Sequence, residues 1–289
     1  MRILRRSATL AAVVLAMASC AAAPAEVDDV GLALIERAEG ELAAECMARH
    51  GFRYWPSAPA TPDERREFPY VVDDPAWART HGYGGDLVAQ RERRRAEDPN
   101  TRYLNSLSEE RRSAAAAAYG GGAGSSVVEA VAPGGATIGQ RDTGCLAEAQ
   151  RTLYGDFAAW VRASVVTGNL SSLYQPKVTG DPRFHDAVTA WAGCMLSAGL
   201  PYASPRHVQQ ALPGLTSGQE PSRARRTEIE LAVAEAGCAL ATPLAGTARE
   251  LDRHYGDEVR RQYRAEVETT RRLRRDAAAR AEEIVARNT

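Results

Sequence analysis

The feature that most constrains this 289-residue chain is a duplicated cysteine box. ECMARHGFRYWP at residues 45–56 recurs as GCMLSAGLPYAS at residues 193–204, and both copies read Cys-Met-x-x-x-Gly-apolar-x-Tyr. Five Cys and four Met in random order would give about 0.1 Cys-Met dipeptide in such a chain. Two of them with the same downstream spacing therefore mark an internal duplication. Each copy is followed by one more cysteine preceded by glycine, Gly144-Cys145 and Gly237-Cys238. Four cysteines allow three connectivities, and the repeat selects Cys46 with Cys145 and Cys194 with Cys238. Disulfides persist in oxidising compartments, which points to an exported protein.

The box itself reads as a helix terminus. Residues before Cys46 place Asp28 or Asp29 as N-cap, with Ile35, Leu42 and Cys46 on one side and Gly51 suited to a left-handed stop. Before Cys194, Asp181 caps and Pro182 fits the first turn. Phe184, Val188, Trp191, Ala192 and Met195 then follow at helical spacing, and Gly199 ends the helix. In both copies the Met fills a core gap, Phe52 or Leu200 folds back on the last turn, and Tyr54 or Tyr202 begins an extended exit. A soft-metal site at Cys-Met is disfavoured, because adjacent helical residues point about 100° apart.

The N-terminus fits export. Arg2, Arg5 and Arg6 precede an apolar run at residues 8–18, and MASC at residues 17–20 is similar to a bacterial lipobox with Met17 in place of the usual Leu. Residues 1–19 are read as a signal peptide, Cys20 as the lipidated (palmitate-bearing) first mature residue, and 20–28 as a tether. Arg5-Arg6 leaves both general and twin-arginine export open. Removing three arginines and no acids leaves 33 basic against 37 acidic residues, a charge of −4, which excludes a nucleic-acid footprint. Lys177 is the single lysine, so Arg carries nearly all positive charge.

The rest of the chain reads as a mainly α, disulfide-stapled body in two degenerate halves, residues 29–176 and 177–289. Residues 56–85 suggest a loop-rich layer with one short helix after Asp74-Pro75. Residues 86–97 give a charged helix with a solvated face, and Asp98 and Ser108 start two more. The cluster GGGAGSS lacks the Lys-Ser/Thr of a phosphate loop and reads as a connector. A minor β-hairpin follows, alternating around Val128 and Val131 with its turn at Pro133-Gly134-Gly135. Residues 225–241 form a helix with Ile229, Val233 and Leu240 near one face. Leu244 to Ile284 then keep three-four spacing, a long C-terminal helix of roughly 60 Å if continuous.

DPNTRYLNSLSEERRSAAAAAYGG, TGCLAEAQRTLYGD, and WAGCMLSAGLPY followed by ELAVAEAGC together resemble a family of uncharacterised exported proteins and lipoproteins of actinobacteria. The resemblance runs from Cys46 to the C-terminus. It implies an envelope location and a disulfide-bonded helical body, and assigns no activity to any residue.

Catalytic machinery is not evident. His50, His81, His185, His207 and His254 form no metal spacing, no Gly-x-Ser-x-Gly elbow occurs, and Asp181/Asp186 or Glu282/Glu283 are acid pairs of a kind that 37 acids produce freely. The expectation is a non-enzymatic binding or structural module with no cofactor or metal. It would be lipid-anchored on the outer face of the cytoplasmic membrane and would present its surface to an envelope protein or glycan. The alternative is an envelope-polymer hydrolase with a dispersed acidic site.

Overall fold

The computed structural model describes residues 26–288, so the expected signal peptide and Cys20 lie outside the described residues. Asp28 accepts the Gly31 amide and starts α1 (Asp29–Arg49). The layer that follows holds two short helices where the sequence suggested one, α2 (Pro62–Arg65) and α3 (Pro75–His81). Thr61 and Glu64 form a capping box around Pro62 and fix α2. Then come α4 (Gly85–Ala96), with its arginines exposed, and α5 (Pro99–Ser106) and α6 (Glu109–Gly120), capped by Asp98 and Ser108.

Strands β1 (Val127–Val131) and β2 (Thr137–Arg141) pair antiparallel, with Val127 opposite Arg141 and Val131 opposite Thr137. Val128 and Ala130 face inward, whereas Val131 is exposed, so the alternation is one residue out from the expected pair. The remaining helices are α7 (Cys145–Tyr154), α8 (Phe157–Thr167), α9 (Ser171–Gly180), α10 (Pro182–Ser197), α11 (Pro205–Thr216), α12 (Pro221–Ala241), α13 (Leu244–Gln262) and α14 (Arg264–Arg287). The fold is mainly α, with one hairpin and a long C-terminal helix.

Two assemblies share this chain. In one, α1 packs on α7 and α14 around Ile35, Leu153, Leu273, Ala277 and Ile284, and the hairpin lays Val128 on Phe157 and Val161. In the other, α10 to α13 enclose Trp191, Met195, Val208, Leu244 and Leu251. The sequence halves exchange elements between them. α3 packs on α12 through Trp77, Ala78, Ala232 and Ala236, while α14 returns to α1 and α8. The division read at residue 177 falls inside α9.

That exchange explains two departures from the sequence reading. The apolar stripe from Leu244 to Ile284 is largely buried, but the helix breaks at Tyr263 (φ −105, ψ 36), because α13 packs on α9 and α10 while α14 turns to α1, α7 and α8. Its distal half is packed, with Leu273, Ala277, Ala281 and Ile284 all buried. In α12 the buried face is Leu231, Ala232, Glu235, Ala236, Cys238 and Ala239, and Leu240 is exposed. Small residues line that face because α3 lies on one side of it and α10 and α13 on the other.

Candidate functional site

The two cysteine boxes are built alike. Gly51 (φ 77) and Gly199 (φ 79) take the left-handed position after their helices. The Gly51 amide donates to Ala48 O and the Phe52 amide to Met47 O, both at 2.9 Å; Gly199 donates to Leu196 O and Leu200 to Met195 O, also at 2.9 Å. This is the Schellman termination, in which the residue after the glycine contacts the residue whose carbonyl it caps. Met47 and Met195 are those residues, buried beside Phe52 and Leu200. The spacing Met-x-x-x-Gly is thus a requirement of the cap, and the Cys lies one residue before the Met.

Disulfides join Cys46 to Cys145 (Cα–Cα 5.4 Å) and Cys194 to Cys238 (5.7 Å). The first is sealed, with Cys46 and Cys145 no more than 1% exposed. Gly144 (φ 90) precedes Cys145 in a close backbone crossing, where an added Cβ would lie 2.4 Å from the Gly121 amide nitrogen. The glycine cluster therefore does more than connect: Gly121 (φ 85) lets the end of α6 approach the start of α7. Glu148 Oε2 lies 3.5 Å from Cys46 Sγ, while its Oε1 pairs with Arg49. Cys46, His50 and Cys145 bring their ligand atoms within 4.8 Å of one another.

Of the expected acid pairs, Asp181 is committed structurally. It caps α10 and accepts from Arg183 and Tyr255, and the Arg183 side chain holds its carboxyl well below the usual range. Glu282 and Glu283 are exposed on α14. The structure instead gathers polar groups where residues 66–87 cross α12. Glu235 has no exposed surface. Its Oε1 accepts from the Val72 amide (3.0 Å) and its Oε2 from the Tyr83 hydroxyl (2.7 Å), while its backbone carbonyl accepts from Trp191 Nε1 (3.2 Å). Burial pushes the Glu235 pKa up to about 7, against the lowering effect of those two donors, and burial likewise raises the Tyr83 phenol.

Two turns along α12, Glu228 and Arg225 manage the junction between α3 and α4. Glu228 Oε1 accepts from the amides of Tyr83 (2.9 Å) and Gly85 (3.0 Å), a negative group at the start of α4, which has no side-chain cap of its own. Arg225 donates to the Thr80 and His81 carbonyls at the end of α3. Each helix end thus meets the charge its dipole favours. Gly82 (φ 60) is needed there, since a Cβ would lie 2.8 Å from Glu228 Cγ. His81 Nδ1 lies 2.9 Å from Asp86 and Nε2 3.4 Å from Asp63.

Beside this junction opens a cleft of about 420 Å³, lined by Asp63, Arg66, Phe68, Trp77, Tyr83 and Arg91 among others. Trp77 is 8% exposed, and its indole N–H has no acceptor. A second cleft of about 490 Å³ lies across the 66–74 segment, against Arg249, Asp252 and Arg253 of α13. The sequence reading missed Glu235, Trp77 and Glu228, whose roles come from partners more than 140 residues away. The Cys46–His50 spacing was visible, but its relation to Cys145 arises only where α1 meets α7. No single helix among the described residues is long and apolar enough to cross a membrane. The chain matches no protein-family model, no curated protein and no solved structure.

Proposed function

We propose that this protein is a non-catalytic binding module of the cell envelope, held on the outer face of the cytoplasmic membrane by lipid on Cys20, with the cleft at Trp77 as its recognition site for an envelope protein or glycan. The observation that carries the binding reading is the cleft itself, about 420 Å³ with Trp77, Phe68 and Tyr83 together with Arg66 and Arg91 among its lining residues. Aromatic and arginine side chains gathered in one concave site suit a sugar ring or an aromatic or acidic side chain of a partner. Two disulfides support the extracytoplasmic compartment. A photo-crosslinker at Val88, on the cleft rim and 47% exposed, tests this reading in whole cells. It should capture one envelope component, and Arg91→Glu, which reverses an exposed charge on the cleft wall, should abolish that capture. Capture by Arg91→Glu equal to the parent's would overturn the cleft assignment. Loss of labelling by radioactive palmitate in Cys20→Ser tests the anchor separately.

The hydrolase alternative has one observation in its favour: near this cleft Glu235 is raised to about 7 while hydrogen bonding at Thr61 lowers Glu64. Separated carboxylates suit acid and base roles. The binding reading is preferred because both Glu235 oxygens already accept bonds behind Tyr83 and Val72, and Glu64 is engaged by Thr61 and Arg94.

A further inference from the structure

The first cysteine box carries two donor groups that the second lacks. His50 stands four residues after Cys46, one turn along α1, and Glu148 stands three residues after Cys145 on the first turn of α7. The matching positions in the second box are Ala198 and Ala241. Around the first disulfide, the ring nitrogen of His50 and both sulfurs lie within 4.8 Å, and Glu148 Oε2 is 3.5 Å from Cys46 Sγ. A disulfide sulfur has no proton to donate, so that carboxylate oxygen gains nothing from the oxidised bridge. Arg49 holds the other oxygen and steadies the group. Two sulfurs, an imidazole and a carboxylate form a donor set of the type that binds Zn²⁺ tetrahedrally.

We propose that the Cys46–Cys145 staple is convertible: once reduced, the two thiolates, His50 and Glu148 bind one zinc ion, which holds α1 to α7 in place of the covalent bond. Reduction takes two electrons and two protons from a dithiol, which leaves as its own disulfide while the S–S bond breaks to two thiols. Zinc then displaces both thiol protons. Zn–S bonds of about 2.3 Å require the sulfurs to separate to about 3.8 Å, a change that side-chain rotation can supply across Cα atoms 5.4 Å apart. His50 needs to move inward by about 1 Å to reach the edges of such a tetrahedron, and Glu148 Oε2 already lies at an edge length, 3.5 Å, from Cys46 Sγ. The junction that closes the longer loop of the chain thereby has a holding state before oxidation as well as after it. Among the described residues, Cys194 and Cys238, reduced, offer two thiols with no third donor near enough to complete such a site.

The test uses the full chain with Cys20→Ser, so that only the four box cysteines remain, titrated with Co²⁺ and then Zn²⁺ before and after reduction. The oxidised chain should bind neither. The reduced chain should bind one equivalent with a thiolate-to-cobalt charge-transfer band that Zn²⁺ abolishes, and zinc should protect Cys46 and Cys145 from alkylation while leaving Cys194 and Cys238 reactive. His50→Ala, at an exposed position, should weaken binding by more than about tenfold, since even outer-shell losses cost about 10–100-fold; Glu148→Gln should weaken it less. Failure of the reduced chain to bind, equal protection of both cysteine pairs, or a His50→Ala affinity equal to the parent's would each overturn the proposal.

Discussion

Cys46 is bonded to the first residue of α7, across a backbone crossing that admits only glycine, whereas Cys194 is bonded to Cys238 within the last turn of α12, where the preceding Gly237 faces open space. The boxes end their own helices with identical hydrogen bonds, yet their partners differ in kind. What has been duplicated is the terminated helix with its cysteine. The Gly-Cys partner is a likeness of sequence with no common geometry: Gly144 is an N-cap at φ 90, and Gly237 is an ordinary helical residue. The two regions differ also in what they seal, the first a sulfur pair with nearby donors and the second a core with a buried carboxylate.

The largest way to separate them is to remove each bridge. In the chain-entropy account, the loop of 99 residues closed by Cys46–Cys145 is worth about 4.7 kcal/mol and the loop of 44 closed by Cys194–Cys238 about 4.0 kcal/mol. Guanidinium unfolding of Cys46→Ser/Cys145→Ser and Cys194→Ser/Cys238→Ser should show both losses, with the first larger. A reversed order would mean that native packing, and not loop length, sets the contribution.

Next in size is the pH dependence of the second region. The Glu235 carboxyl titrates near 7 in the folded protein against 4.5 for its ordinary value, so the native state binds the extra proton between those limits. Its contribution is therefore full below about pH 4.5 and is lost as pH rises through 7, a decline of about 3 kcal/mol. Glu235→Gln should remove that slope in urea unfolding measured from pH 4.5 to 8. An unchanged slope would assign it elsewhere.

Glycine substitutions sharpen the comparison further. Gly144→Ala should destabilise by about 1–3 kcal/mol, because a Cβ meets Gly121 N and Tyr119 O at a positive φ. Gly237→Ala should stabilise by about 0.5–1 kcal/mol, since the helix gains a better former and nothing lies within 4 Å. Gly51→Ala and Gly199→Ala should each cost about 1–2 kcal/mol, and by the same amount, because both take one left-handed conformation in open space. Thermal unfolding of the four single variants reads all of these, and unequal costs at Gly51 and Gly199 would break the equivalence of the caps.

Local rules carried the fold a good distance. The caps at Asp28, Asp98, Ser108 and Asp181, the glycine stops and the hairpin turn are all set by residues a few positions apart, and the duplication supplied the long-range pairing. The capping box Thr61-Pro62-Asp63-Glu64 was equally legible and was overlooked among the surrounding prolines. The break at Tyr263 was not legible, because Tyr263 continues the apolar stripe and only the different partners of α13 and α14 bend the chain there. The candidate site was the least readable. Nothing within α12 distinguishes Glu235 from an exposed glutamate until Val72 and Tyr83 arrive from the other half of the sequence.

The central claim, that each Cys-Met helix end is bonded to the next Gly-Cys downstream, is tested most directly by non-reducing peptide mapping of the native protein. The account predicts two bridged species, Cys46 with Cys145 and Cys194 with Cys238. Free thiols at these four positions, or a bridge from Cys46 to Cys194 or Cys238, would contradict it.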